Sequence, residues 1–387
     1  MAVLFISYKY PPSLGGMQKQ SYELITGYAS HHKTYKLVYD QQSSLVFFFL
    51  KLFWVVPQLL RRHPEIQLIH LNDGVCAVCC AWMKIWTKKA VVVTYHGLDL
   101  VFPNLIYQKL VLPFIKRFDG IITVSDYTRG ECLKRGFRPD KVHVIKNGVD
   151  ISEAYELDKV EDRVLAQVQQ MKEENRPLIM AIGRPVKRKG FVWFVKEVMS
   201  KTKTRGTFIL VGPYPKHSPL QAILMKLLPE SITKQIQLFL GMSTEHHQLE
   251  TLSQSLAYQT NFLWYRDLNH DSKLYLLEQA SFLVMPNVKV AGDMEGFGLV
   301  ALEANMYNKP VLAANMEGIT SAVIPNKNGW LLESENAEAW INKIDKYLTE
   351  KPVLAAREFV IKNYSWRVMV EGYVKTFNQI ISLKTAA

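Results

Sequence analysis

An α/β fold of two doubly wound parallel sheets is what this sequence predicts, on three observations. Short apolar runs of strand length alternate with segments of helical length along the chain. The alternation occurs twice, on either side of a polar, acidic stretch from Glu153 to Arg176. The 387 residues leave room for two ordinary cores, with 48% hydrophobic and 21% charged residues.

Each element follows in order. "AVLFIS" reads as a buried first strand: it is too short for a signal h-region and lacks a basic leader. "YKYPPSLGGMQKQSYELI" then ends that strand, stiffens the loop with two prolines and sets Gly15 and Gly16 before a helix. Glycines there let backbone N–H groups approach an anion, and the helix N-terminus adds positive potential. From these residues alone a plain turn pair reads equally well. "YKLVY" and "IQLIHL" are the next strands. Between them Ser44 to His63 is strongly apolar, interrupted by Lys51 and Pro57, and too short for a confident membrane span. Two readings stay open: a buried helix, or an interfacial patch with Phe47, Phe48, Phe49, Phe53 and Trp54 beside Lys51, Arg61 and Arg62.

"VCAVCC" has a C-x-x-C spacing in apolar surroundings with no second ligand pair at zinc-site distance. Cys76, Cys79 and Cys80 therefore read as a reduced, buried helix, and with Cys132 they point to a cytoplasmic protein. "AVVVTYH" places His96 at the carboxyl end of a strand, before Gly97; "GIITVS" and "KVHVIKN" complete the first set. A boundary after "NGVDIS" divides the chain into domains 1–152 and 153–364, with the apolar-periodic helix 365–387 returning to the first.

In the second set the strands are "PLIMAIG", "GTFILVG", "NFLWY", "SFLVMP" and "KPVLAA". After the first of them, "AIGRPVKRKGF" sets Arg184 and Lys189 five apart behind Gly183, with Lys187 and Arg188 adding charge. Two cations at a strand's carboxyl end suit a diphosphate, since Arg binds phosphate bidentately and Lys as a point charge; a solvated basic loop is the plainer reading. After the fourth, "EGFGLVALEA" carries Glu295 in a glycine turn and Glu303 two helical turns on. Glu295 can accept bonds from sugar hydroxyls and Glu303 from a ribose; taken singly, each also reads as an ordinary helix-dipole or surface acid.

Charge is uneven. Net charge is +12, and residues Met1 to Gly148 carry 19 Lys and Arg against 9 Asp and Glu, a net +10. That implies an anionic partner: nucleic acid, anionic lipid or a phosphorylated acceptor. No helix-turn-helix, RNP-like or zinc-finger pattern supports a nucleic acid.

In order and spacing these segments resemble the retaining glycosyltransferases of family 4, which have the GT-B fold: two Rossmann-like domains facing across a cleft. "GGMQ", "HLNDG", "TYHGLDL", "IITVSDYTR", "VIKNGVD", "GRPVKRKGF", "EGFGLVALEA" and "YSWRVMVEGYVKTF" carry the resemblance. It implies transfer of a hexose from a nucleoside-diphosphate sugar to a glycan or lipid-linked acceptor, with retention through a front-face path. His96, Arg184, Lys189 and Glu295 would then be the catalytic residues. Arg184 and Lys189 would neutralise the diphosphate, the Gly15 and Gly16 amides would contact the same phosphates, and Glu303 would hold the ribose. Gly183, Gly212, Gly296, Phe297, Gly298 and Leu299 complete the donor-contacting set. No D-x-D element occurs, and two cations can replace a metal, so activity without a metal cofactor is expected. The basic first domain is expected to meet an anionic membrane at its inner face. Rival readings are a nucleic-acid-modifying enzyme, an epimerase of similar fold and an inactive sugar-nucleotide-binding protein. The chain departs from the family in a long stretch from Lys216 to Thr260, in Trp264 where a glycine often stands near the base, and in "ANMEGITSAV", which keeps only Gly318.

Overall fold

The structure is a computed structural model and describes every residue except 14, 151–153, 204–205, 215–227, 243–244, 256–260 and 387. Much of the long stretch Lys216 to Thr260, and the expected boundary at 152, therefore lie outside the described residues. The chain divides into two compact units. Unit 1 comprises Met1–Val149, Glu295–Leu299 and Asn363–Ala387; unit 2 comprises Asp150–Met294 and Val300–Lys362.

Unit 1 is a six-stranded parallel sheet of β1 (Ala2–Ser7), β2 (Lys33–Val38), β3 (Ile66–Leu71), β4 (Ala90–Tyr95), β5 (Gly120–Thr123) and β6 (Val142–Val144), ordered β2-β1-β3-β4-β5-β6. Side chains alternate across the pleat, so both covered faces of a parallel sheet need apolar residues and the strands read as continuous runs. Val3, Phe5, Leu68, Val92 and Ile122 face α1 (Gly16–Ala29) and the C-terminal helix Trp366–Ala386. Leu4, Ile6, Ile69, Leu71 and Val93 face a layer of α2 (Leu45–Arg62), α3 (Gly74–Cys79), α4 (Met83–Trp86), α5 (Leu98–Val101), α6 (Leu112–Ile115) and α7 (Asp126–Lys134). Local chemistry starts these helices: Ser44, Asp73 and Ser125 accept from the third following amide at α2, α3 and α7. Residues Cys76 and Cys80 are buried and all four cysteines are free, as the reduced-helix reading expects.

Unit 2 repeats the plan with β7 (Leu178–Ile182), β8 (Thr207–Val211), β9 (Phe262–Tyr265), β10 (Phe282–Met285), β11 (Val311–Ala314) and β12 (Gly329–Leu332), ordered β12-β11-β10-β7-β8-β9 and all parallel. Ile179, Ala181, Phe208, Leu210 and Phe282 pack on Phe194 and Val195 and on Trp340 of the helix Ala337–Glu350. Sequence reading finds eleven of these strands within a few residues and misses β12, whose "NKNGW" start carries turn residues and whose side chains are mostly half-exposed.

The segment Ser44 to His63 forms one helix with a buried and an exposed side, which fits the buried-helix reading on the inner side and leaves the interfacial reading open on the outer. The inner stripe Phe48, Leu52, Val56 and Leu60 is buried, whereas Val46, Phe47, Leu50, Phe53 and Trp54 are exposed. Phe48 is therefore a core residue, and Phe49 packs against the same core beside Tyr8.

Asp73 shows how burial and capping compete. One carboxylate oxygen accepts from the Cys76 amide at 2.8 Å; among the described residues the other has no hydrogen-bond partner. Burial pushes its pKa up to about 7, against the pull of the amide bonds. A raised carboxyl pKa means the fold prefers the protonated form, so this stability is full below about pH 4 and lost as pH rises through 7. Asp73→Asn keeps the cap and cannot ionise. Its melting temperature relative to wild type is expected to climb between pH 4 and 7 and then level off, worth of the order of a few kcal/mol; a pH-independent difference would contradict the assignment.

Candidate functional site

Unit 1 gathers residues that are far apart in sequence. β1 runs out through the Pro11-Pro12 loop to Gly15, which precedes α1 at φ 150° with no side-chain cap. Gly15 has no side-chain oxygen to offer the first-turn amides of this 14-residue helix. His96 follows β4 directly. Its Nε2–H donates to the Asn72 carbonyl at 2.8 Å, and its backbone N–H donates to Asp99 at 2.9 Å. A carbonyl only accepts, so the ring proton sits on Nε2 and Nδ1 is the acceptor nitrogen. Burial lowers the His96 pKa and keeps the ring neutral, with Asp99 opposing.

The glycine turn 295–299 lies on this histidine. A Cβ placed on Gly296 would stand 1.6 Å from the His96 carbonyl oxygen, so only glycine fits. A Cβ on Gly16 would meet Leu299 Cδ1 at 2.9 Å. Gly298 has φ 95°, a backbone that favours glycine, and the buried Phe297 ring is 6.2 Å from Tyr364. Of the residues the sequence singles out, Gly16, His96, Gly296 and Leu299 are therefore brought together. Half-buried Glu295 opens the same turn.

Behind them runs a polar network that the sequence did not reveal. Asn72 Nδ2 donates to Gln20 Oε1 at 2.9 Å, Gln20 Nε2 donates to Tyr373 Oη at 3.2 Å, and Thr94 Oγ1 lies 3.0 Å from that same oxygen. His70 Nε2 is 2.9 Å from Thr94 Oγ1; burial lowers its pKa to about 3, so it stays neutral. The chain of bonds ties α1, β3, β4 and the C-terminal helix together directly behind Gly16 and His96. Buried polar groups require partners, and Gln20 and Ser21 beside Leu24, Ile25 and Tyr28 on the buried face of α1 were the legible hint.

Unit 2 carries the second cluster, at the carboxyl ends of β7 and β8. Gly183 has φ 152°, and a Cβ on Gly212 would fall 2.0 Å from the Gly183 carbonyl oxygen. The two parallel strands therefore lie in close backbone contact where they end. Exposed Arg184 donates from Nη1 to the Gly241 carbonyl at 2.7 Å. A Cβ built on Gly183 would lie 3.5 Å from Lys189 Cε, so the Lys189 stem passes that glycine. Arg188 behaves differently from its neighbours. Its guanidinium pairs with Asp293 at 3.1 Å, both half-buried, and Asp293 also accepts from the Met294 amide at 2.8 Å. Its charge is engaged in holding the loop before Glu295, so it is not the surplus cation that the sequence suggested. Gly190, at φ 67°, packs against the Pro286 carbonyl, where a Cβ would stand at 2.0 Å.

Glu303, on the helix Leu299–Met306, lies 3.8 Å from Lys273. Trp264 donates from Nε1 to the Gly212 carbonyl at 3.0 Å, and Arg266 sits 4.8 Å from its ring and 4.8 Å from that of Tyr214. At the position where the resemblance leads to the expectation of a glycine, this chain has an indole fixed against the end of β8. Among the described residues no three His, Cys, Asp or Glu side chains are grouped so as to hold a metal ion.

With this geometry in hand, known proteins can be compared. Residues 165–365 match the family described as Glycosyl transferases group 1, and residues 14–153 the one described as Glycosyltransferase Family 4. A Klebsiella pneumoniae protein named "Uncharacterized 41.2 kDa protein in cps region" is 23% identical over 341 residues, covering 84% of this chain and 82% of that one. Anabaena Alr3699/HepE, solved in complex with UDP and glucose, superposes with a TM-score of 0.68 at 18% identity, covering 98% of this chain and 100% of that one. The lipopolysaccharide outer core galactosyltransferase WaaB in its apo form gives 0.66 at 13% identity, over 98% and 99% of the two chains. At these identities the solved structures establish a shared fold.

Proposed function

The chain belongs to the glycosyl transferases group 1 and has the GT-B fold, and on that premise we propose that it is a retaining hexosyltransferase acting in cell-surface polysaccharide or glycolipid synthesis. The donor is a nucleoside-diphosphate sugar; the acceptor is a glycan or a lipid-linked sugar. Support for the donor comes from the relative solved with UDP and glucose, and for the pathway from the relative named for the lipopolysaccharide outer core.

Each residue's task follows from its chemistry. Arg184 and Lys189 neutralise the diphosphate and the charge that grows on the leaving group. The first-turn amides after Gly15, which has no capping side chain, contact phosphate oxygens. Glu295 and the 297–299 backbone hold sugar hydroxyls, Glu303 the ribose, and neutral His96 offers Nδ1 as an acceptor beside the transferred sugar. The leaving phosphate helps take the acceptor proton, so no carboxylate nucleophile is needed. Rate then rests on positioning and charge stabilisation.

The observation that carries this reading is the meeting of Gly16, His96, Gly296 and Leu299, three chain segments so close that a Cβ on Gly296 would stand 1.6 Å from the His96 carbonyl oxygen. Thermal-shift screening against UDP-, GDP-, ADP- and dTDP-sugars tests it, because a ligand that binds only the native state raises the melting temperature. One of the four is expected to do so, and silence from all of them would oppose the reading. Two cations serve here in place of a metal. Transfer is expected to survive EDTA in full, and complete loss would assign the diphosphate to a metal instead.

A further inference from the structure

We propose that the outer surface of the α2–α6 layer in unit 1 docks on an anionic lipid bilayer. The inner sides of α2, α4 and α6 lie in one core against one face of the sheet. Their outer sides share a common layer and are apolar where solvated helices are usually polar. Trp54 on α2 is 65% exposed, Ile85 on α4 77%, and Leu105 and Leu110, just before α6, 73% and 63%. The apolar surface is continuous from α2 to α4: Phe53 stacks on Trp82 at 4.9 Å, and Trp82 meets Trp86 at 6.1 Å. Most of the exposed large apolar side chains among the described residues lie between 46 and 114. A concentration of this kind marks an interaction surface.

The charges on this layer identify the partner. From Ser44 to Phe118 the sequence has nine Lys and Arg and only three acids. None of the three opposes an anion: Glu65 pairs with Lys33 at 2.7 Å, Asp73 is buried, and Asp99 accepts from the Gly74 and His96 amides. Arg61, Arg62, Lys88, Lys109 and Arg117 are exposed around the apolar side chains. Aromatic and aliphatic side chains ringed by cations, without free acids, fit a headgroup–acyl boundary of negative charge. A second copy of this chain would bring two basic faces together, which the same charges oppose. Among the described residues no helix is long and apolar enough to cross a membrane, so the contact is interfacial. The proposal concerns where the protein works, and it stands whatever sugar is transferred.

Vesicle flotation of the full chain decides it. Wild type is expected to float with phosphatidylcholine–phosphatidylglycerol vesicles at low salt, to be released at high salt, and to stay behind with phosphatidylcholine alone. Trp54→Glu, on α2, and Leu110→Glu, just before α6, are each expected to weaken flotation roughly tenfold. Both positions are solvent-exposed, so melting temperature and any sugar-nucleotide thermal shift should not change. Absence of flotation with the anionic vesicles overturns the proposal. So does flotation that both variants retain, or a wild-type dimer in sedimentation that these same substitutions dissociate.

Discussion

Replacing Arg184 or Lys189 with alanine is expected to lower kcat for sugar transfer by about 10²–10³-fold, with melting temperature little changed. A charge-assisted contact to a bound phosphate is worth roughly 1.5–3 kcal/mol, and one made to charge that develops in the transition state is worth more. Both side chains can be removed without opening a core. Arg184 is exposed and donates to a loop carbonyl; Lys189 is half-buried with its stem along a glycine. Arg184→Lys should not restore activity, because an ammonium cannot grip two phosphate oxygens in the fork geometry of a guanidinium. Arg188→Ala supplies the contrast two residues from the middle of the same loop. It removes the ion pair from the half-buried Asp293 carboxylate, so its loss is expected first in the denaturation midpoint, and in rate only through the displaced loop. Steady-state kinetics and urea unfolding on the three alanine variants separate these outcomes. Normal turnover by both Arg184→Ala and Lys189→Ala would remove the phosphate assignment.

The difference between Arg188 and its neighbours shows where sequence reading stops. Strands were legible because a parallel sheet covered on both faces leaves almost no choice but apolar runs. Glycines at strand ends were legible as turns. Which cation of "RPVKRK" meets solvent and which meets Asp293, 105 residues away, depends on tertiary placement that no local pattern encodes. The same holds for Gln20 and Tyr373, 353 residues apart, and for the indole of Trp264 bonded to Gly212. The α2 segment was ambiguous for another reason. A helix with apolar residues on both sides satisfies the core pattern and the interfacial pattern at once, so periodicity could not choose between them.

Gly296→Ala is the sharper test of the proposed chemistry, since it adds one methyl group and removes none. The added carbon would stand 1.6 Å from the His96 carbonyl oxygen and 2.7 Å from its carbon. Both are backbone atoms, so no flexible side-chain tip can yield, and either the turn or the histidine must move. Overpacking of this kind costs roughly 1–3 kcal/mol and can cost more. Because the histidine and the turn would both touch the sugar, a shift of about 1 Å is expected to cost on the order of 10²-fold in kcat/KM in whatever fraction still folds. Gly130→Ala, within α7, is the matched control: a Cβ there meets nothing within 4 Å. Relieved of a helical glycine, that variant is expected to gain about 0.5–1 kcal/mol and keep full activity. Denaturant unfolding and transfer assays on the pair therefore weigh the same added methyl in two places. If Gly296→Ala matched Gly130→Ala in stability and rate, the turn would not rest on His96, and the site built around that contact would have to be abandoned.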